Sequence, residues 1–257
     1  MSRTFGERVS NVGSDLTRVA GSYLHSVTSG NWAACAVCAL PIDASYSLCA
    51  QCQGHRHSGL PVADRAGFLV YADQPASQTY RVMRSYKETR TRAAFEPIIQ
   101  ALLAVGLRGH FRCATTLAGT EDHGWAVVPS TKARTVLIDL VRGLTTSPAS
   151  EIPIDFTPPA PDRALHPDSW TIAGSATLPQ HVVVIDDAWV SGASSQSLAV
   201  TLKQAGVAQV SILSLARVLS PHWDPNKAFL KDILAALPYD WTICPWTRGD
   251  CPTEPAT

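Results

Sequence analysis

The stretch His181-Val182-Val183-Val184-Ile185-Asp186-Asp187-Ala188-Trp189-Val190-Ser191-Gly192-Ala193-Ser194-Ser195 decides how the chain is read. The β-branched run from Val182 to Ile185 is the pattern of a strand buried on both faces of a parallel sheet. After it, SSQSLAVTLKQAG (194–206) sets Leu198, Leu202 and Ala205 at helical spacing, and Gly206 sits where a C-terminal cap belongs. QVSILSLARVL (209–219) is the next strand. Strand, tight loop, helix and strand form a βαβ unit, so the expected fold class is α/β, a largely parallel sheet flanked by helices.

The loop inside that unit carries the chemistry. Ligands of open α/β sheets bind at the carboxyl ends of strands. A helix N-terminus there offers unpaired backbone N–H groups and the positive end of the helix dipole. Gly192 lets the backbone approach a phosphate closely, and Ser191, Ser194 and Ser195 can add hydroxyl donors. Asp186 and Asp187, being adjacent, point to opposite sides if the strand continues through them, so at most one is expected to face a ligand squarely. Carboxylates beside a phosphate cradle suit vicinal hydroxyls and a bridging Mg2+, which favours oxygen ligands.

Outward from this unit, GFLVYAD (67–73) reads as a strand, and SQTYRVMRSYK (77–87) and TRAAFEPIIQALLAVGL (91–107) read as helices. WAVVPS (125–130) is a short strand entering a loop, and ARTVLIDLVRGL (133–144) is an apolar-periodic helix. Near the N-terminus, Val9, Val12, Leu16, Val19, Tyr23 and Val27 form one helical stripe. SPASEIPIDFTPPAPDR (147–163) holds five of the 18 prolines and is expected to be an irregular or mobile connection.

Composition narrows the function classes. Of 257 residues, 46% are hydrophobic and 16% charged, which excludes a disordered chain. Lys+Arg and Asp+Glu are both 21, so the protein has no global field to collect polyanions, and only weak local DNA contact is expected. No run approaches the roughly 20 apolar residues of a membrane span, and the N-terminus has no apolar core of a secretory signal. The expectation is a cytoplasmic protein without a membrane partner.

Seven cysteines include two knuckles, Cys35-x2-Cys38 and Cys49-x2-Cys52. Each can present two thiolates, and together they complete a tetrahedral site for one structural Zn2+; four thiolates also leave an iron–sulfur cluster open. A module this small cannot fold on its own core, so the metal would supply its folding energy. His55 and His57 follow closely as spare candidate ligands and, with four cysteines available, are read as surface residues. Cys113 is read as structural, and the six-residue gap between Cys244 and Cys251 as unliganded thiols rather than a second metal site.

The segment Asp186-Asp187-Ala188-Trp189-Val190-Ser191-Gly192-Ala193-Ser194 resembles the phosphoribosyl pyrophosphate (PRPP) signature of type I phosphoribosyltransferases, Asp-Asp-x-x-Thr-Thr-Gly-x-Thr after an apolar strand. Val190 stands in place of a hydroxyl residue, and Trp189 is bulkier than usual. With the N-terminal four-cysteine module, the arrangement is similar to the ComF-like family, linked to bacterial competence. The resemblance covers about residues 31–220 and is strongest at the cysteines and the PRPP loop. It implies that Asp186 and Asp187 contact the ribose hydroxyls, and that Val190, Ser191, Gly192, Ala193, Ser194 and Ser195 wrap the 5′-phosphate. It also implies that Ser130, Thr131 and Lys132, in Val127-Val128-Pro129-Ser130-Thr131-Lys132-Ala133-Arg134, hold pyrophosphate. Met83-Arg84-Ser85-Tyr86-Lys87 looks like the family's Leu-Lys-Tyr element, with Lys87 as a further ligand, and Arg163 with His166 loosely resembles its Arg-x-x-Asn element. Lys87, Lys132 and Arg134 read equally well as diphosphate ligands and as solvated charges.

The expected organisation is an N-terminal helix within 1–30, a zinc ribbon over 31–58, a phosphoribosyltransferase-like domain over 65–248 and a flexible tail over 249–257. The expected function is Mg2+-dependent phosphoribosyl transfer from PRPP. The alternatives are a PRPP- or nucleotide-binding regulator without turnover, or a DNA-uptake accessory; a homodimer is left open.

Overall fold

The computed structural model describes residues 5–130, 132–145, 151–157, 162–174 and 177–253. Along the chain, α1 (Phe5–Ala20) is followed by α2 (Ala50–His57), β1 (Arg65–Asp73), α3 (Gln78–Ser85), α4 (Arg92–Ala104), α5 (Phe111–Ala118) and β2 (His123–Val127). Then come α6 (Val136–Leu144), β3 (Ile154–Phe156), β4 (Trp170–Ile172), β5 (His181–Trp189), α7 (Ala193–Gln204), β6 (Gln209–Leu219) and α8 (Asp224–Asp232).

The main sheet has the order β1-β6-β5-β2, and all three pairings are parallel. Parallel strands need crossovers, and α7 supplies the one from β5 to β6. Helices on both faces bury both sides of the strands, which is why β5 and β6 read as near-continuous apolar runs. Alternation along β5 then divides the core. Val183 and Ile185 join the cluster with α1, α3, α4 and α6, while Val182 and Val184 join the one with α7, α8 and the cysteine ribbon.

The N-terminal stripe is shorter than its periodicity predicts. The helix ends at Ala20, so Val9 and Leu16 are buried but Val19 is exposed, and Val27 is buried outside any helix. Beyond the helix, Ser26 bridges to Val70 of β1. The proline-rich connection is not wholly irregular: Ile154–Phe156 pairs antiparallel with Trp170–Ile172 as a separate two-stranded sheet. Residues 147–150 and 158–161 of that connection lie outside the described residues. Among the described residues, no helix is long and apolar enough to cross a membrane.

The expected flexible tail is anchored at its start. The Cys244 N–H donates to the Gly249 carbonyl at 2.8 Å, closing a loop that runs on to Cys251. Residues 254–257 lie outside the described residues.

Candidate ligand-binding cleft and metal centre

β5 continues through both aspartates to Trp189, so the pleat sends their side chains to opposite faces. Asp186 turns toward α7, where its Oδ2 accepts from the Ser195 hydroxyl at 2.5 Å and its Oδ1 from the Asp187 N–H at 2.8 Å. Asp187 turns toward the segment after α3. There its Oδ2 accepts from the Tyr86 hydroxyl at 2.7 Å and pairs with the Lys87 ammonium. Burial, and then the charge of Asp187, push the Asp186 carboxyl up to about 6, against the Ser195 hydrogen bond and the Lys87 charge. Burial and the same two carboxylates push the Tyr86 phenol far above its ordinary range, so it stays a donor.

Both carboxylates line a cleft of about 630 Å³ at the carboxyl edge of the sheet, a correction to the expectation that only one of them would face a ligand. Lys87, Ser130, Arg134 and Ser194 line it with them, and Asp155 and Phe156 of β3 line another wall. The strand drawn from the proline-rich connection thus borders the site. Arg134 reaches Glu88 at 2.8 Å, so a second cation stands at the cleft near Lys87. Ser130 accepts from the Lys132 N–H at 3.3 Å, but the Lys132 side chain is exposed and off the cleft lining. Thr131 lies outside the described residues.

The structure divides the loop residues. Ser194 is exposed on the cleft, whereas Ser195 is fully buried with its hydroxyl spent on Asp186. Ser195 therefore positions a carboxylate rather than offering its hydroxyl to an anion. Ser191 accepts from the Ala193 N–H at 3.3 Å, folding the turn at the start of α7. Val190 and Ser191 face a second cavity of about 450 Å³, shared with Arg163, Gln51 and Arg217. Gly192 has φ +81°, and a Cβ there would lie 2.1 Å from the Trp189 ring. The glycine is thus demanded by the backbone and by the buried indole beneath it, independently of any ligand. The Trp189 ring itself packs edge-on against Phe68.

Beside this loop the four ribbon cysteines converge. Cys35, Cys38, Cys49 and Cys52 are buried, with their sulfurs within 4.8 Å of one another. This donor set fits one tetrahedral metal ion, and the cluster can hold an ion such as zinc. The Cys52 N–H points at Cys49 Sγ at 3.5 Å, and Arg217 Nη2 points at Cys38 Sγ at 3.5 Å, as expected around metal-bound thiolates. The carbonyls of the first knuckle are gripped from the main domain: Cys38 by Arg217 Nε at 2.7 Å, and Ala36 by Arg248 at 3.0 Å. The ribbon is part of the body, not an appendage.

His57 is exposed as expected, but His55 is buried, a correction to its reading as a surface residue. It meets the Gln51 amide at 2.9 Å on the inner face of α2, apart from the cysteine cluster. Burial holds its imidazole below the ordinary value. Tyr86 and Arg217 are the functional residues that sequence reasoning missed. The first stood inside a recognised element, and the second inside a strand read only as core.

A scan against protein-family models finds no match for this chain, and a search of curated proteins finds no relative.

Proposed function

We propose that this chain is a ComF-like protein with a type I phosphoribosyltransferase fold that binds PRPP with Mg2+ in the cleft at the end of β5. The observation that carries the reading is the placement of Asp186 and Asp187. A buried central strand delivers both carboxylates to a cleft of about 630 Å³ that also holds Lys87, Arg134 and the first turn of α7. Acidic groups for hydroxyls, cations for diphosphate and helix N–H groups for a phosphate monoester match the three parts of PRPP.

In this reading Asp186 and Asp187 hold the ribose hydroxyls. The backbone around Gly192 and Ser194 holds the 5′-phosphate. Lys87 leaves Asp187 to meet pyrophosphate, joined by Arg134 and Ser130. Mg2+, when bound, would take oxygen ligands from the carboxylates and offset diphosphate charge. An acceptor nucleophile then forms a bond to C1 of the ribose as the C1–O bond to pyrophosphate breaks, and the electron pair leaves with pyrophosphate. Carboxylates near C1 favour the positive charge that develops there, so the protein contributes mostly positioning and electrostatics. The ribbon holds a structural Zn2+ and buttresses the β5–α7 loop.

A pyrophosphate-release screen against nucleobases, amines and ammonia tests turnover. Release that requires PRPP, Mg2+ and one acceptor is the expected result. Tight PRPP binding with no release for any acceptor would assign the chain as a PRPP-responsive regulator instead.

A further inference from the structure

A second cluster of metal-ligating side chains lies outside both the cleft and the ribbon. His110 precedes α5, Cys113 stands in its first turn, and Cys244 and Cys251 come from the C-terminal loop. One ligand atom from each lies within 4.8 Å of all the others. His110 Nδ1 is 3.5 Å from Cys251 Sγ and 3.9 Å from Cys113 Sγ. With Zn–S bonds of ~2.3 Å and Zn–N bonds of ~2.0 Å, a nitrogen–sulfur edge of a tetrahedral zinc site is about 3.5 Å, so these separations lie close to bound geometry.

The surroundings prepare the histidine for a metal. Its other nitrogen, Nε2, lies 3.1 Å from the Trp241 carbonyl, which can only accept. Nε2 must therefore carry the ring proton, leaving the Nδ1 lone pair aimed at the sulfurs in the neutral ring. The loop is built to keep its two cysteines together. Cys244 and Gly249 form an antiparallel bridge, Arg248 takes a left-handed conformation at φ +61°, and the Trp246 indole donates to the His110 carbonyl at 2.9 Å. His110, Cys113 and Cys244 are buried, and Cys251 closes the site at the surface.

We propose that His110, Cys113, Cys244 and Cys251 form a second structural zinc centre, with three thiolates and one imidazole as its ligands. It replaces the expectation of unliganded thiols at these positions. The centre pins the C-terminal loop to α5 across 141 residues of sequence. That loop presents Arg248, whose guanidinium grips the carbonyls of Cys35, Ala36 and Val37. The second centre thereby holds the arm that clamps the first knuckle of the four-cysteine ribbon.

The test is metal stoichiometry and cobalt spectroscopy on the full-length protein, prepared reduced and loaded with Zn2+ or Co2+. Wild type should hold two equivalents, with absorption bands of both a four-thiolate and a three-thiolate, one-imidazole cobalt site. Cys251→Ser, at an exposed position, should lose one equivalent and the bands of the mixed-ligand site. His110→Cys should keep two and shift the second set of bands toward the four-thiolate pattern, a result that does not depend on the serine variant folding. One equivalent in wild type that Cys38→Ser removes, or a disulfide among Cys113, Cys244 and Cys251 in the freshly reduced protein, would overturn the proposal.

Discussion

Arg217 lies against Cys38, with Nε donating to its carbonyl at 2.7 Å and Nη2 reaching its sulfur at 3.5 Å. The same guanidinium donates Nη1 to the carbonyls of Trp189 and Val190 at 3.1 and 3.2 Å. One buried cation thus joins the cysteine ribbon to the loop after Asp187. Four thiolates around a divalent ion would leave net negative charge, which Arg217 is placed to offset inside the protein.

Replacing Arg217 with Met keeps most of the volume but leaves buried carbonyls unpaired and removes that counter-charge. The expected cost is about 3–5 kcal/mol of stability, together with faster loss of the ribbon metal to a chelator. Denaturant unfolding and chelator kinetics check this. An unfolding midpoint and release rate equal to wild type would contradict it.

Gly192→Ala should destabilise the loop without any ligand present, because φ +81° and the Trp189 ring both oppose a Cβ. The expected cost is about 1–3 kcal/mol. Pairing it with Trp189→Leu should give less than the sum of the two single losses, since the smaller side chain vacates the clashing volume. Strict additivity in urea unfolding would show that the indole is not what excludes the side chain.

The parts of the molecule that could be read from sequence are those set by local period. The run Val182–Ile185 announced a doubly buried strand, and its pleat foretold that Asp186 and Asp187 would part to opposite faces. The knuckle spacing of Cys35, Cys38, Cys49 and Cys52 announced the convergence of four sulfurs that can hold a metal ion. Arg217 was not legible, because one cation in an apolar strand acquires its role only when the ribbon docks 179 residues away. Tyr86 was visible only as part of an element, and its pairing with Asp187 is a tertiary fact. The strand Ile154–Phe156 was hidden among prolines, since three residues carry too little pattern to compete with turn signals. His110 and Cys113 lack a nearby second pair, so no spacing rule reaches their partners.

Lys87 and Lys132 should behave differently. The first pairs with Asp187 at the cleft, and the second is exposed outside its lining. Lys87→Met should weaken PRPP binding about tenfold or more, which is ~1.4 kcal/mol, and Lys132→Met markedly less. Equal losses in calorimetric titrations would mean that the cation assignments are wrong.

Acidity should separate binding from folding. Burial raises Asp186 from its ordinary value of 3.8 to about 6, so the unliganded fold prefers the neutral acid. Its contribution to stability is fully present below the ordinary value and is lost as pH rises through about 6. PRPP with Mg2+ needs the carboxylate, so binding should strengthen over that same upper interval. Asp186→Asn should flatten the binding profile between pH 5 and pH 7.5 (roughly the span of that titration). An identical pH profile in the variant would show that another group controls affinity.

The central claim is tested most directly by titrating PRPP with Mg2+ into the folded protein by calorimetry, beside Asp186→Asn and Asp187→Asn. The account predicts one PRPP per chain for wild type, with Mg2+ required and affinity reduced at least tenfold in both variants, whose thermal unfolding shows them folded. No detectable PRPP binding by the folded wild type, or undiminished binding by both variants, would contradict it.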